Sequence, residues 1–262
     1  MSAPPGQGQL QGQIHDEQMP FTSHLAELRS RLIKCFLALA VAFSGCFAVA
    51  DDIFAFLAGP LKRLDVPGLT LVGTAVTEAF FTKMKVAFAA AILVALPVLL
   101  WQAWQFVAPG LYEHEKRYTR AFVAFGSLFF FAGAMFGYQV VIGQGLGFLL
   151  RRYAAINVQP WIQVGEYFSV AVRVVLACGV MFQLPVLAFF FARVGLIDHR
   201  FLIRHFRYAV VAIALLAAVL TPPDFVAQIF FMVPLSVLYG VSIGVAYLAR
   251  RRDLAGTNED GG

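Results

Sequence analysis

A succession of apolar runs, most of them about as long as a bilayer is thick, constrains this chain more than any other feature. "LIKCFLALAVAFSGCFAVA" at 32–50 is followed by runs at 77–107, 119–142, 167–194, 208–220 and 225–249. A helix needs ~20 apolar residues to cross the hydrocarbon core. Lipid offers no partner to a backbone group that a helix does not satisfy internally. The runs therefore predict an all-α fold, a polytopic membrane protein with six transmembrane helices. Composition agrees, since 60% hydrophobic residues against 13% charged ones leave more apolar surface than a soluble fold can bury.

The runs are not alike. The second is longer than a span requires, so its first turns, with Glu78, Lys83 and Lys85, are expected among headgroups or in water. The fifth, "YAVVAIALLAAVL", has 13 residues; at 1.5 Å each it covers ~20 Å of a ~30 Å core. Only "TPPD" at 221–224 joins it to the sixth, and Pro222 and Pro223 force a tight hairpin. Such a hairpin ends below the membrane surface and thins the bilayer around it. Pro97, Pro185 and Pro234 predict kinks in three spans. No internal repeat of the kind found in secondary transporters is visible.

Basic residues near span ends set the orientation. Arg29, Arg31, Lys34, Lys116, Arg117, Arg120, Arg200, Arg204, Arg207 and Arg250–Arg252 fall on one side. Lys62, Arg63, Arg151 and Arg152 fall on the other. The tally is twelve or thirteen against four, depending on the side taken by Arg193. Both termini are therefore expected in the cytoplasm, with the loops around 51–76 and 143–166 outside. Residues 1–20, rich in Gly, Gln and Pro and without a basic-then-apolar leader, read as a disordered tail rather than a signal peptide. Residues 250–262 read as a second tail, leaving 21–249 as the membrane domain.

Several chemistries find no residues to carry them. The net charge of +5 flanks apolar runs instead of forming a polar face, which argues against nucleic acid. His15, His24, His114, His199 and His205 all lie in the tail or the cytoplasmic loops. Cys35, Cys46 and Cys178 lie in apolar runs without paired spacing, as small packing residues do. Neither a metal site nor a cofactor is expected. "GQGLG" at 143–147 lacks the lysine of a phosphate-binding loop, and no G-x-S-x-G is present. An enzyme is not expected.

The remaining polar residues are few. In "FTSHLAELRSRLIK", 21–34, Thr22 or Ser23 can cap a helix that enters the first span. Leu25, Leu28 and Leu32 share one face of it, and Glu27 and Arg31 stand four apart, as a pair worth ~0.3–0.5 kcal/mol would. "LYEHEKRYTR", 111–120, places Glu113 and Glu115 among Lys116, Arg117 and Arg120, either as local charge balance or as a site. Arg173 is placed to snorkel to the headgroups. Gln183 and Gln228 lie within spans, where either a partner helix or internal packing would satisfy them.

Taken together, "HLAELRSRL" at 24–32, "WQFVAPGLYEHEKR" at 104–117, "FQLPV" at 182–186 and "LTPPDFVAQ" at 220–228 resemble the TatC family, the multispanning subunit of the twin-arginine protein translocase. The resemblance runs from about 20 to 249. It implies a curved, glove-like arrangement of six helices with short fifth and sixth members. It also implies a receptor for folded proteins whose signal peptides carry consecutive arginines, with export driven by the proton motive force. Glu27 and Glu115 match the family's signal-binding acids, Arg29 a position that would orient Glu27, and Phe106 an aromatic that would meet the signal's apolar part. Glu113 matches no required position. Gln183, Thr221 and Gln228 match positions where the single-span partners TatA and TatB dock, and Pro60 and Asp224 match an outward loop and hairpin. Many members carry glutamate at the position of Gln183, and an amide cannot titrate. The implied partners are TatA, TatB, twin-arginine signal peptides, other TatC copies and lipid, in the bacterial inner membrane. The alternative, an ion-coupled small-molecule transporter, needs charged groups at mid-span.

Overall fold

A computed structural model describes the backbone of residues 19–64, 69–107, 119–148, 150, 159, 161–193, 195, 197–220 and 225–259. The described residues are helical almost throughout. Helix α1 (Met19–Ala48) is followed by the short α2 (Ala50–Leu57) and α3 (Gly59–Lys62), strand β1 (Thr70–Val72) and the long α4 (Glu78–Val107). Then come α5 (Thr119–Phe136), a π-helical segment (Gly137–Gly145), β2 (Trp161–Gln163), α6 (Val164–Met181) and α7 (Gln183–Arg193). A short α8 (His199–Arg204), α9 (Phe206–Leu220) and α10 (Phe225–Glu259) complete it.

Among the described residues five stretches are long and apolar enough to cross a membrane: Leu25–Ala48, Glu78–Phe106, Arg120–Phe148, Val164–Arg193 and Phe231–Leu248. The fifth apolar run of the sequence is the exception, as its length implied. Helix α9 has 15 residues, ~22 Å of axis. The sixth is short only as an apolar stretch of 18 residues. The helix that holds it runs on through Glu259, into the stretch read as a tail. Arg250–Arg252, Leu254 and Ala255 are good helix formers.

Three local expectations change. Helix α1 begins at Met19, ahead of the caps proposed at Thr22 and Ser23. Pro20 then occupies the first turn, where a missing N–H costs nothing. The fourth span breaks in two at Phe182. Pro185 explains this, because its ring excludes the Met181 carbonyl and it donates no bond. By contrast α4 and α10 continue through Pro97 and Pro234. The loops that follow the first and third spans hold α2, α3 and a parallel pair, β1 with β2, that joins Thr70 to Trp161.

Helix α4 is central and packs against α1, α2, α5 and α6, while α10 packs on α7 and α9. Around the β1–β2 end the core gathers Leu57, Leu61, Val86, Tyr138, Ile142, Phe168 and Val174, with Phe54 stacked on Phe168 at 3.9 Å between ring centres. At the far end of α4, Trp104 packs on Phe122, Val186 and Phe190. Helices α5 and α6 approach closely because glycines face the seam. A Cβ built on Gly133 would lie 2.5 Å from the Cys178 carbonyl oxygen, and one on Gly179 would lie 2.7 Å from the Phe130 ring.

Two buried phenols hold the end of α2. Tyr138 donates to the Phe56 carbonyl at 2.7 Å and Tyr167 to that of Leu57 at 2.9 Å, so two carbonyls at the helix end are tied to the core. Tyr167→Phe would leave the Leu57 carbonyl buried and unpaired, at a cost of about 1–3 kcal/mol. Its melting midpoint in detergent is expected to fall by several degrees, while removal of the exposed Tyr208 hydroxyl leaves the midpoint in place. Equal midpoints for the two variants would contradict the assignment.

Candidate functional site

The polar cluster of interest lies where the start of α1 meets the end of α4. The two helices pack along one another and run antiparallel, so early residues of α1 face late residues of α4. Glu27 and Arg31 are one turn apart on α1. Arg31 donates from Nε at 3.1 Å and from Nη2 at 2.7 Å, both to Oε1 of Glu27. From Nη1 it donates to Gln102 Oε1 at 3.2 Å and to Gln105 Oε1. Gln102 and Gln105, three apart, share one face of α4.

The guanidinium is thus fastened on three sides, and the carboxylate it holds is partly shielded, with a side-chain exposure of 32%. Fixing the cation against two amides removes much of the conformational freedom that makes a lone surface pair weak. Glu27 spends one oxygen on this contact. Its Oε2 takes no bond from the described residues.

Among the described residues Arg31, and not Arg29, contacts Glu27. Arg29 is exposed and two positions from Glu27, and residues two apart on a helix do not face each other. Phe106 is half-buried, one residue before the end of α4. The segment that carries Glu113 and Glu115 follows α4, and both acids lie outside the described residues, as do Thr221 and Asp224.

Gln183 and Gln228 both bond within the chain. The Gln183 amide donates to the Gly126 carbonyl on α5 at 2.7 Å, in a buried position. Gln228 donates to the Ala214 carbonyl at 3.1 Å, closing the α9–α10 hairpin. Of the two readings left open for them, internal packing accounts for their donors. Pro60 is buried in the first turn of α3, a position that suits proline. Among the described residues no group of three or more His, Cys, Asp or Glu is placed to hold a metal.

Sequence reasoning missed Gln102 and Gln105 as partners of Arg31. The available signal was a pair of amides three apart at a span end, beside a basic stretch. It also read Glu78 only as solvated charge. Glu78 accepts from the Thr74 backbone at 2.5 Å, the Thr74 hydroxyl at 2.9 Å and the Ala75 backbone at 3.2 Å. It also accepts from the Gly165 backbone at 2.6 Å, joining the start of α4 to the start of α6.

Comparison with known proteins completes the picture. The family model for TatC, the Sec-independent protein translocase protein, matches residues 23–234. The Sec-independent protein translocase protein TatC of Campylobacter jejuni is 45% identical over 221 residues, 84% of this chain and 90% of that one. Its counterpart in Helicobacter pylori J99 is 42% identical over 226 residues, 85% of this chain and 87% of that one. A crystal structure described as the twin-arginine translocase receptor TatC superposes with a TM-score of 0.79 at 32% identity, covering 86% of this chain and 99% of that one. A multi-pass helical chain with this match over most of its length is a protein translocase component and belongs to the TatC family.

Proposed function

We propose that this chain is the receptor subunit of a twin-arginine translocase. It binds the paired arginines of signal peptides on folded precursors, with Glu115 and Glu27 as the acceptors. Support comes from the cluster at the end of α1 and α4. There Glu27 is held by Arg31 against Gln102 and Gln105, beside the departure point of the loop that carries Glu115. A carboxylate positioned in this way, with one oxygen free of bonds from the described residues, suits a guanidinium through charge-assisted hydrogen bonds. The solved relative is called a receptor, which favours the same reading.

In this reading the chain lies in the bacterial cytoplasmic membrane with both termini inside. Phe106 meets the apolar part of the signal. TatA and TatB dock along α9 and α10, near Thr221 and Gln228, with Gln183 on α7, which packs on α10, and the proton motive force drives export. Other TatC copies join the assembly, and Asp224 faces outward on the hairpin.

A photo-crosslinking residue placed beside Glu115, in native and Glu115→Gln chains, tests the recognition step with a twin-arginine precursor. Crosslinking to the arginine region is expected to drop sharply in the variant, and a lysine-pair precursor is expected to crosslink poorly even to the native chain. Undiminished crosslinking after the substitution would return Glu115 to the status of charge balance in a topological anchor.

A further inference from the structure

We propose that Lys85 and Arg173, with Ser169 between them, bind the phosphate of an anionic phospholipid at the β1–β2 end of the α4–α6 seam. Lys85 lies on α4 and Arg173 on α6, both exposed, and both converge on one residue. Lys85 donates from Nζ to the Ser169 hydroxyl at 3.2 Å. Arg173 donates from Nε to the Ser169 carbonyl at 3.1 Å. The Ser169 hydroxyl in turn donates to the Gly165 carbonyl at 2.6 Å, so it faces Lys85 as an acceptor.

Depth sets what these cations meet. The apolar stretch that begins at Glu78 has 29 residues and the one that begins at Val164 has 30. The first is ~44 Å of unbroken helix against a core of ~30 Å, leaving ~7 Å beyond the core at either end of a centred span, and the second starts beside it, where Gly165 meets Glu78 and β2 pairs with β1. Ser169 is five residues past Val164, or ~7.5 Å along the axis. The two side chains, rooted deeper, reach back to Ser169, at the boundary between acyl chains and headgroups. This is the level of the lipid ester and phosphate groups, and both cations snorkel to it.

The acids at this end form no ion pair with either cation among the described residues. Asp51 pairs with Lys83. Glu78 is taken by Thr74, Ala75 and Gly165. Glu166 is exposed and seven residues before Arg173, which is ~10 Å along α6. Among the described residues neither Lys85 nor Arg173 has an ion pair. Two like charges tied to one serine repel each other, more strongly as water thins out. An anion with several oxygens relieves this, because Lys85 keeps two N–H donors and Arg173 its Nη groups. A phospholipid supplies that anion at this depth with its tails already in the core. The placement follows from the helices alone and does not depend on which way the chain is oriented.

The test titrates the full chain, purified in mild detergent, with phosphatidylglycerol, and reads bound lipid by native mass spectrometry. Lys85→Gln with Arg173→Gln is expected to bind the first phosphatidylglycerol about ten-fold more weakly or worse, the scale of two surface cations. Phosphatidylcholine binding stays unchanged. The charge-conserving pair Lys85→Arg with Arg173→Lys stays within about two-fold of the parent. Should the neutral pair elute abnormally, Arg173→Gln alone, at an exposed position, carries the same expectation at smaller scale. Unchanged phosphatidylglycerol binding in the neutral variants overturns the proposal. So does an equal loss in Lys62→Gln with Arg63→Gln, basic residues at the same end of the molecule, since charge anywhere would then suffice. Displacement of the lipid by inorganic phosphate would assign the site to a free anion and reject the lipid.

Discussion

Chains carrying Glu27→Gln and Glu115→Gln together will bind a twin-arginine signal peptide on the order of 100-fold more weakly than the parent. A hydrogen bond to a charged group contributes about 1.5–3 kcal/mol, and each ~1.4 kcal/mol is a factor of ten. The amides keep the shape of the carboxylates and some of their accepting capacity, so the loss is expected near the lower end for each position. Arg31 complicates the reading in a useful way. In the parent it holds Glu27 through Nε and Nη2, and with glutamine at 27 it still has Gln102 and Gln105 as acceptors. The cluster therefore stays assembled, and the change in affinity reports charge and not collapse. Titration of a fluorescent signal peptide into the chain in nanodiscs measures it, with a lysine-pair peptide as reference. If the double variant binds within about three-fold of the parent, the acids are not the recognition element.

Gly133→Val is the second large effect, and it acts on the fold. The new Cβ alone would sit 2.5 Å from a backbone oxygen and 2.7 Å from the Phe182 ring. A backbone atom cannot swing aside, so α5 and α6 must separate. Overpacking of this kind costs about 1–3 kcal/mol, and more when the backbone moves. Thermal loss of the monodisperse peak in detergent should come many degrees earlier, with the Gln183–Gly126 tie on the same helix strained in turn. Gly45→Ala serves as the contrast, since nothing lies within 4 Å of its Cβ and alanine favours the helix by up to ~1 kcal/mol. A Gly133→Val chain as heat-resistant as Gly45→Ala would show that the seam is looser than the structure has it.

Much of this was legible in the residues because lipid simplifies the reading. Where no water is available, a long apolar run has to be a helix, and the runs at 77–107, 119–142 and 167–194 lie within one or two residues of helical spans at most of their ends. The shortness of α9 followed from counting. Other features depended on partners distant in sequence. Nothing local in "VTEAFF" reveals that Glu78 will meet the Gly165 amide, and β1 has three residues, too few for an alternating pattern to emerge. The Glu27–Arg31 pair was visible from its spacing, whereas its anchoring by Gln102 and Gln105 needed the antiparallel packing of α1 on α4. The resemblance pointed to Arg29 as the residue that orients Glu27, whereas the contacts among the described residues come from Arg31. For Gln183 and Gln228, polarity was legible but the partner was not.

The β1–β2 pair has a consequence for biosynthesis. Thr70 pairs with Trp161, so one strand is made some ninety residues before the other, with two spans between them. While those spans are being inserted, β1 presents an open edge and the Glu78 carboxylate waits for Gly165. The cap on that side of the membrane can close only after α6 has begun to emerge. Nascent chains stalled before residue 161 would be sensitive to a protease on that side, and chains stalled after α6 would be protected. The last ordering event on that face is set by the ribosome's position, long after the apolar spans themselves have found the bilayer.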